Sequence, residues 1–223
     1  MATSQLPAPP PARDWDAALP TDLGVMGNTD YGDCGFAGYG HAVQTWTSGS
    51  ITPTTEQVLA AYAGCTGFDP SKPETDQGVA LLNALKWFTT QGVGGHVLGA
   101  YAAVDPRDEI QVQQAISMFG GVYIGAGMPV TAQHPGPWVG PAVPGGGDQQ
   151  PYSWGGHCMW VPKYDRLGVG FITWGDRQEA DWQWWLDYVD EAYVLLSSDW
   201  VDGSKPAPSG FDIDGLRAAL SAL

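Results

Sequence analysis

Cys34 stands in the run Gly32-Asp33-Cys34-Gly35, where turn-forming residues give way to a helical pattern. A thiol in the first turn of a helix faces unpaired backbone amides and the positive end of the helix dipole. Both favour the thiolate, so the sequence alone predicts a lowered thiol pKa. A sulfur nucleophile also needs a proton carrier. His157 meets that need: it follows Gly155-Gly156, which leaves room for a ligand, and it opens a strand-like segment. The same helix start offers the Cys34 backbone N–H, and Asn28, six residues earlier, offers a side-chain amide. Two such donors can hold an oxyanion. The chemistry is attack of sulfur on a carbonyl while an imidazole holds the proton.

The remaining reactive side chains read as structural. Cys65 and Cys158 fit the usual role of a free cysteine as a small buried hydrophobe. Cys158 is also next to His157, so on a strand it points to the opposite face. His41, two turns after Cys34, reads as a core histidine bonded to a carbonyl, and His96 and His134 as surface or loop residues. Asp187, Asp190 and Glu191 read as a solvated acidic face, and Trp182, Trp184 and Trp185 as core packing rather than a carbohydrate platform. Three cysteines with no C-x-x-C spell neither a disulfide framework nor a zinc site. Reduced thiols, no metal and no cofactor are expected.

Composition narrows the partners. Of 223 residues, 9 are Lys or Arg and 24 Asp or Glu, a formal charge of −15. Such a surface repels nucleic acid and anionic membranes. The expected partners are a peptide or protein substrate, or neighbouring subunits of an assembly. With 43% apolar and 15% charged residues the chain can bury a core. Its 31 glycines and 18 prolines predict many turns. No apolar run approaches the ~18 residues of a membrane span, and the N-terminus lacks the pattern of a secretion signal. A cytoplasmic or virion-associated location is expected.

Elements must hold Cys34 and His157 together. Residues 1–22 read as an extended, Pro-rich arm. Residues 23–105 read as a helical lobe without a convincing strand. Its helices run from Cys34 to near Ser48, from Pro53 to about Ala63 with Thr54 and Gln57 in capping-box spacing, and from Gly78 to about Gln91. Asp33 sits where an N-cap belongs. Residues 106–200 read as a β lobe: a helix over 108–118, strands over 121–126, 158–161, 170–174 and 191–197, and a long loop, 129–156. Residues 201–223 form a tail ending in an amphipathic helix. The class is α+β.

This order resembles the papain-like cysteine peptidases. Asn28, Gly32-Asp33-Cys34 and the helix through Trp46 match the family's nucleophile segment. Gly156-His157-Cys158 through Tyr164 looks like its histidine strand, and Thr173-Trp174-Gly175 like its Asn-Ser-Trp-Gly element. Glycine–Asp-Cys, Gly-Gly-His and Thr-Trp-Gly elements also look like an uncharacterised bacterial and phage branch. The resemblance implies one papain-like domain over 1–223, a helical lobe with the nucleophile and an antiparallel β lobe with the histidine. It also implies a thiol hydrolase acting on a peptide or amide bond, with Cys34, His157, Asn28, Thr173 and Trp174 as site residues. Three departures stand out. Asn28 replaces a glutamine, Gly35 replaces a tryptophan, and Ile172 falls where an asparagine orients the histidine. Thr173 replaces that asparagine only after a one-residue slip, and Asp176 is a second candidate. The alternative is a non-catalytic papain-like structural or binding module, for example on a phage virion.

Overall fold

The computed structural model describes residues 6–134, 136–141, 145–201 and 206–223. Residues 1–5 of the arm, 135 and 142–144 of the long loop and 202–205 of the tail lie outside the described residues. In chain order the elements are β1 (Arg13–Asp14), α1 (Cys34–Trp46), α2 (Thr55–Thr66), α3 (Leu81–Phe88), β2 (Leu98–Val104), α4 (Glu109–Phe119), β3 (Val122–Met128), β4 (Gly155–Tyr164), β5 (Gly168–Thr173), β6 (Asp176–Asp181), α5 (Trp182–Tyr188), β7 (Val189–Ser197) and α6 (Ile213–Leu220). The sheet runs β2-β7-β3-β4-β5-β6, with β1 paired to the far end of β4, and every strand pair is antiparallel. The class is α+β with two lobes, as the sequence implies.

Helix α1 lies between the lobes. Every residue after Cys34 in it is buried, because one side packs on α2 and α3 and the other on β4. A helix mostly apolar or small around its circumference suits such a position, and its buried polar side chains His41 and Gln44 bond to each other. Its glycines permit the close approach: a Cβ on Gly35 would lie 2.9 Å from the Tyr123 hydroxyl, which donates to the Gly35 carbonyl at 2.9 Å. That contact is why glycine, not a large aromatic, follows Cys34. Across the interface, the indole of Trp160 on β4 donates to Thr45 Oγ1 at 2.9 Å, and that of Trp46 to the Phe119 carbonyl at 3.0 Å.

Helix α2 carries the capping box its sequence spells: Gln57 N–H donates to Thr54 Oγ1 at 3.3 Å and Thr54 N–H to Gln57 Oε1 at 2.9 Å. Other expectations need correction. The third helix is shorter than its apolar spacing implies, Leu81–Phe88, since Gly78 has φ +68° and stays outside it. Strand β2 crosses from the helical segment to pair with β7, so residues 98–104 belong to the sheet. Its Gly-Ala-Tyr-Ala-Ala interior carries little of the β-branched signal that marks strands. Strand β6 and helix α5 also escaped the sequence reading. The tryptophans of α5 are core: Trp184 and Trp185 are buried, and Trp184 stacks on Trp138 at 4.9 Å. Trp138 in turn ties the long loop along β6, donating N–H to the Glu179 carbonyl at 2.8 Å and accepting from Asp181 N–H at 3.0 Å.

The described part of the arm packs on its own chain. Arg13 and Asp14 pair with Tyr164 and Lys163. The Trp15 indole donates to the Ile116 carbonyl at 2.8 Å and Tyr164 donates to the Pro10 carbonyl at 2.7 Å. Arg177 gathers the carbonyls of Asp16, Leu19 and Pro20 at 3.2, 3.3 and 3.2 Å. No described helix is long and apolar enough to cross a membrane.

Candidate active site

Cys34 and His157 come from opposite lobes and line the same cleft, a cavity of about 290 Å³ that Asn28, Gly32, Trp154 and Trp174 also border. A second cavity of about 350 Å³ also reaches both, and is walled by Gly78, Tyr152, Asp190 and Glu191. Here Tyr152 donates to Asp190, and Tyr193 to Glu191 at 2.8 Å.

The turn carrying Cys34 is clasped from the helical lobe. Gly32 N–H points between both carboxylate oxygens of Asp76, at 3.1 and 3.0 Å. Tyr62 donates to Asp76 Oδ1 at 2.6 Å and accepts from Gly78 N–H at 3.0 Å. One carboxylate thus ties the Cys34 turn to the edge of the second cavity. Asp33 stands at the N-cap position, but its side chain makes no capping bond. It turns away from the helix amides and accepts from Asn28 Nδ2 at 3.2 Å. Burial pushes its carboxyl up to about 7.

His157 is held from both sides. Its Nε2 lies 2.6 Å from Thr173 Oγ1, and the indole of Trp174 stacks on the ring at 4.4 Å and 16°. Trp174 and Gly175 form the two-residue turn between β5 and β6, with φ of +50° and +78° and Thr173 paired to Asp176 across it. Positive φ at both central positions is the type I′ pattern. Gly175 adopts it freely, whereas Trp174 holds a left-handed conformation at a cost of about 1–2 kcal/mol, and that conformation sets the indole over the imidazole. Asp176 opens β6, exposed, and does not bond the ring.

The slip that Thr173 requires is present. At the start of β5 Lys163 faces Gly170, but past Pro162 Trp160 faces Ile172, so β4 carries one extra residue. A bulge of this kind reverses which face each following residue occupies. Ile172, fully buried, shares the face of Trp160, and Thr173 shares that of His157.

The protonation states differ from the sequence expectation. Burial pushes the Cys34 thiol up to about 11, helped by the neighbouring Asp33 carboxyl and opposed by the backbone amides of Cys158, Gly35 and Cys34. Burial also brings His157 down to about 4. Desolvation outweighs the helix-terminal amides, and the resting pair is thiol and neutral imidazole. His41 is a core histidine: its Nδ1 lies 2.7 Å from Gln44 Oε1 and burial takes it down to about 4. Cys158 is buried and Cys65 half-buried, both as free thiols. His96, read from sequence as a surface residue, pairs with Asp199 at 2.9 Å. Among the described residues no cluster of three His, Cys, Asp or Glu side chains gathers to hold a metal.

Neither known family models nor curated proteins match this chain. Solved structures do. Xylellain, a cysteine protease from Xylella fastidiosa, superposes with a TM-score of 0.64 at 14% identity, covering 85% of this chain and 87% of its own. The fold is papain-like. The Carica candamarcensis cysteine protease CMS1MS2, solved in complex with E-64, gives 0.55 at 15% identity over 84% and 98% of the two chains. Digestive procathepsin L 3 from the larval midgut of Tenebrio molitor gives 0.59 at 12% over 87% and 72%. In this papain-like frame the sequence reading missed three contributors. These are the Asp76–Tyr62 clasp, Trp154 at the cleft and the bond from Asn28 to Asp33. Only Asp33 left a signal, an acid in the turn immediately before the thiol.

Proposed function

We propose that this chain is a thiol hydrolase of peptide or amide bonds, with Cys34 as nucleophile and His157 as general base and acid. One observation carries the reading: a thiol and an imidazole from opposite lobes border one cleft, and the imidazole's far nitrogen is held by Thr173 at 2.6 Å. Thr173 occupies Nε2, which leaves Nδ1 to take the thiol proton as sulfur bonds to the substrate carbonyl carbon. The carbonyl electron pair moves to oxygen, where Asn28 and the Cys34 amide donate to it. Collapse of that intermediate breaks the C–N bond, and the imidazolium returns its proton to the leaving amine. Water, deprotonated by His157, then hydrolyses the thioester. Trp174 keeps bulk water off the ring. Because the resting pair is neutral, the proton transfer belongs to the attack itself.

The second reading, a non-catalytic module in a virion or another assembly, draws support from that neutral pair, since no preformed thiolate awaits a substrate. Ile172 at the position of the orienting asparagine, the long loop 129–156 and a Pro-rich arm suited to lie along a neighbour also motivate it, but the arm's contacts with its own sheet weaken the last of these. A fluorogenic peptide library separates the two readings. Turnover abolished by Cys34→Ala and by His157→Ala supports the hydrolase. Turnover unaffected by Cys34→Ala, or absent across the library, favours the module.

A further inference from the structure

Asp33 is fully buried, yet it is poorly provided for. Oδ1 accepts one bond, from Asn28 Nδ2, and Oδ2 has no partner. Oδ2 lies against Gly27, beside Leu59: a Cβ on Gly27 would fall 3.0 Å from it and 3.1 Å from Leu59 Cδ2. A carboxyl so placed is costly to bury, and it repays none of that cost by capping α1. Serine or asparagine would cap the helix without this penalty. The bond that Asp33 does make ends on a residue of the cleft.

Resting on the hydrolase reading, we propose that Asp33 is a positioning residue that fixes the side-chain amide of Asn28 as the oxyanion donor. A carboxylate only accepts, so it selects the NH₂ of Asn28 over its carbonyl and sets the amide plane. One amide hydrogen is committed to Asp33, and the other remains for an oxygen in the cleft. Anchoring matters here because asparagine is one methylene shorter than glutamine and its reach depends on a fixed rotamer. Protonation of Asp33 loosens the selection, since a carboxylic acid can donate to the Asn28 carbonyl and turn the amide over. The charged and titratable groups that face Asp33 are Asp30 on its own turn, the Cys34 thiol, Tyr62 on α2 and Asp76 before α3. Both aspartates reinforce the effect of burial in favouring the neutral carboxyl.

The test uses the full chain and two readouts. In ¹H–¹⁵N spectra the Asn28 side-chain amide, assigned by its loss in Asn28→Ala, is followed from pH 5 to 9. The expected result is a shift with a midpoint near 7 that disappears in Asp33→Asn. Kinetically, Asn28→Ala lowers kcat about 100-fold, the scale of a lost oxyanion donor. Asp33→Asn lowers kcat about tenfold with KM unchanged, and adds no further loss to Asn28→Ala, because residues acting through one another are not additive. An Asn28 amide indifferent to pH and to Asp33→Asn, or losses that multiply in the double variant, overturns the proposal. Wild-type protein without Cys34-dependent turnover sinks the hydrolase reading instead, and the amide titration then decides alone whether Asp33 orients Asn28.

Discussion

Thr173 meets His157 at 2.6 Å because of a bulge at Pro162, eleven residues before the threonine along the hairpin. Proline has no N–H to give to the ladder, so a bulge is where a strand tolerates it. Had the register of Lys163 opposite Gly170 continued unbroken, Trp160 would face Thr173 and the hydroxyl would lie on the far side of the sheet from the imidazole. The hydrogen bond is therefore a consequence of strand register and not of the local Thr-Trp-Gly run.

Removing that hydroxyl tests its role. Thr173→Val should lower kcat/KM by roughly 10- to 100-fold, the range for groups that orient a functional imidazole, with little change in KM. Adding Ile172→Asn to Thr173→Val should not restore activity, because position 172 faces the Trp160 side. It should instead cost about 1–3 kcal/mol of stability by burying an unsatisfied amide, read by urea denaturation.

Trp174 shields the imidazole and pays in backbone strain. Trp174→Ala should let water reach the ring and raise the His157 pKa from about 4 towards the ordinary 6.5, measured by NMR titration of the imidazole. Trp174→Gly should produce the same rise while regaining about 1–2 kcal/mol of backbone strain against the packing it loses. A His157 titration unchanged in both variants would show that the indole does not desolvate the ring.

Two histidines set an acid limit. His157 and His41 are both brought down to about 4 by burial. Between 6.5 and 4 the unfolded chain binds more protons at these sites than the folded one, so their contribution to stability falls as pH falls through that window. His157 stays a base down to about pH 4, and kcat/KM of Asp33→Asn, which lacks the step that Asp33 imposes near pH 7, should show its acid limb there. A limb near 6.5 in that variant would mean a solvated ring.

Asp33 acts with the opposite sign. Its carboxyl is raised from 3.8 to about 7, so between those values the folded state holds a proton that the unfolded state has lost. Stability from this group is full below about pH 4 and declines towards pH 7, with a slope of at most about 1.4 kcal/mol per pH unit. Asp33→Asn should flatten the decline and be more stable than wild type at pH 8, as measured by thermal melts across pH.

The arm belongs to the fold of its own chain. Deleting residues 1–20 removes β1, the Trp15 contacts and all three carbonyl partners of Arg177, and should lower Tm by several degrees. A truncated chain with an unchanged Tm that loses an intermolecular association would return the arm to the role of a tether.

Local chemistry made part of this molecule legible in one dimension. The Thr54–Gln57 capping box, the turn before Cys34, the glycines before His157 and the alternation that turns Cys158 away from its neighbour are all decided within a few residues. So is the order in which thiol, imidazole and indole follow one another. Other features depend on partners far along the chain. Strand β2 exists because β7 lies beside it, and the tryptophans of α5 are core because Trp138 returns to cover them. The thiol is held protonated because two lobes close over it, although a helix start by itself favours the anion. The choice between Ile172 and Thr173 illustrates the division: residue types name both candidates, but face depends on the parity of a strand pairing, and one extra residue at Pro162 changes that parity for everything beyond it.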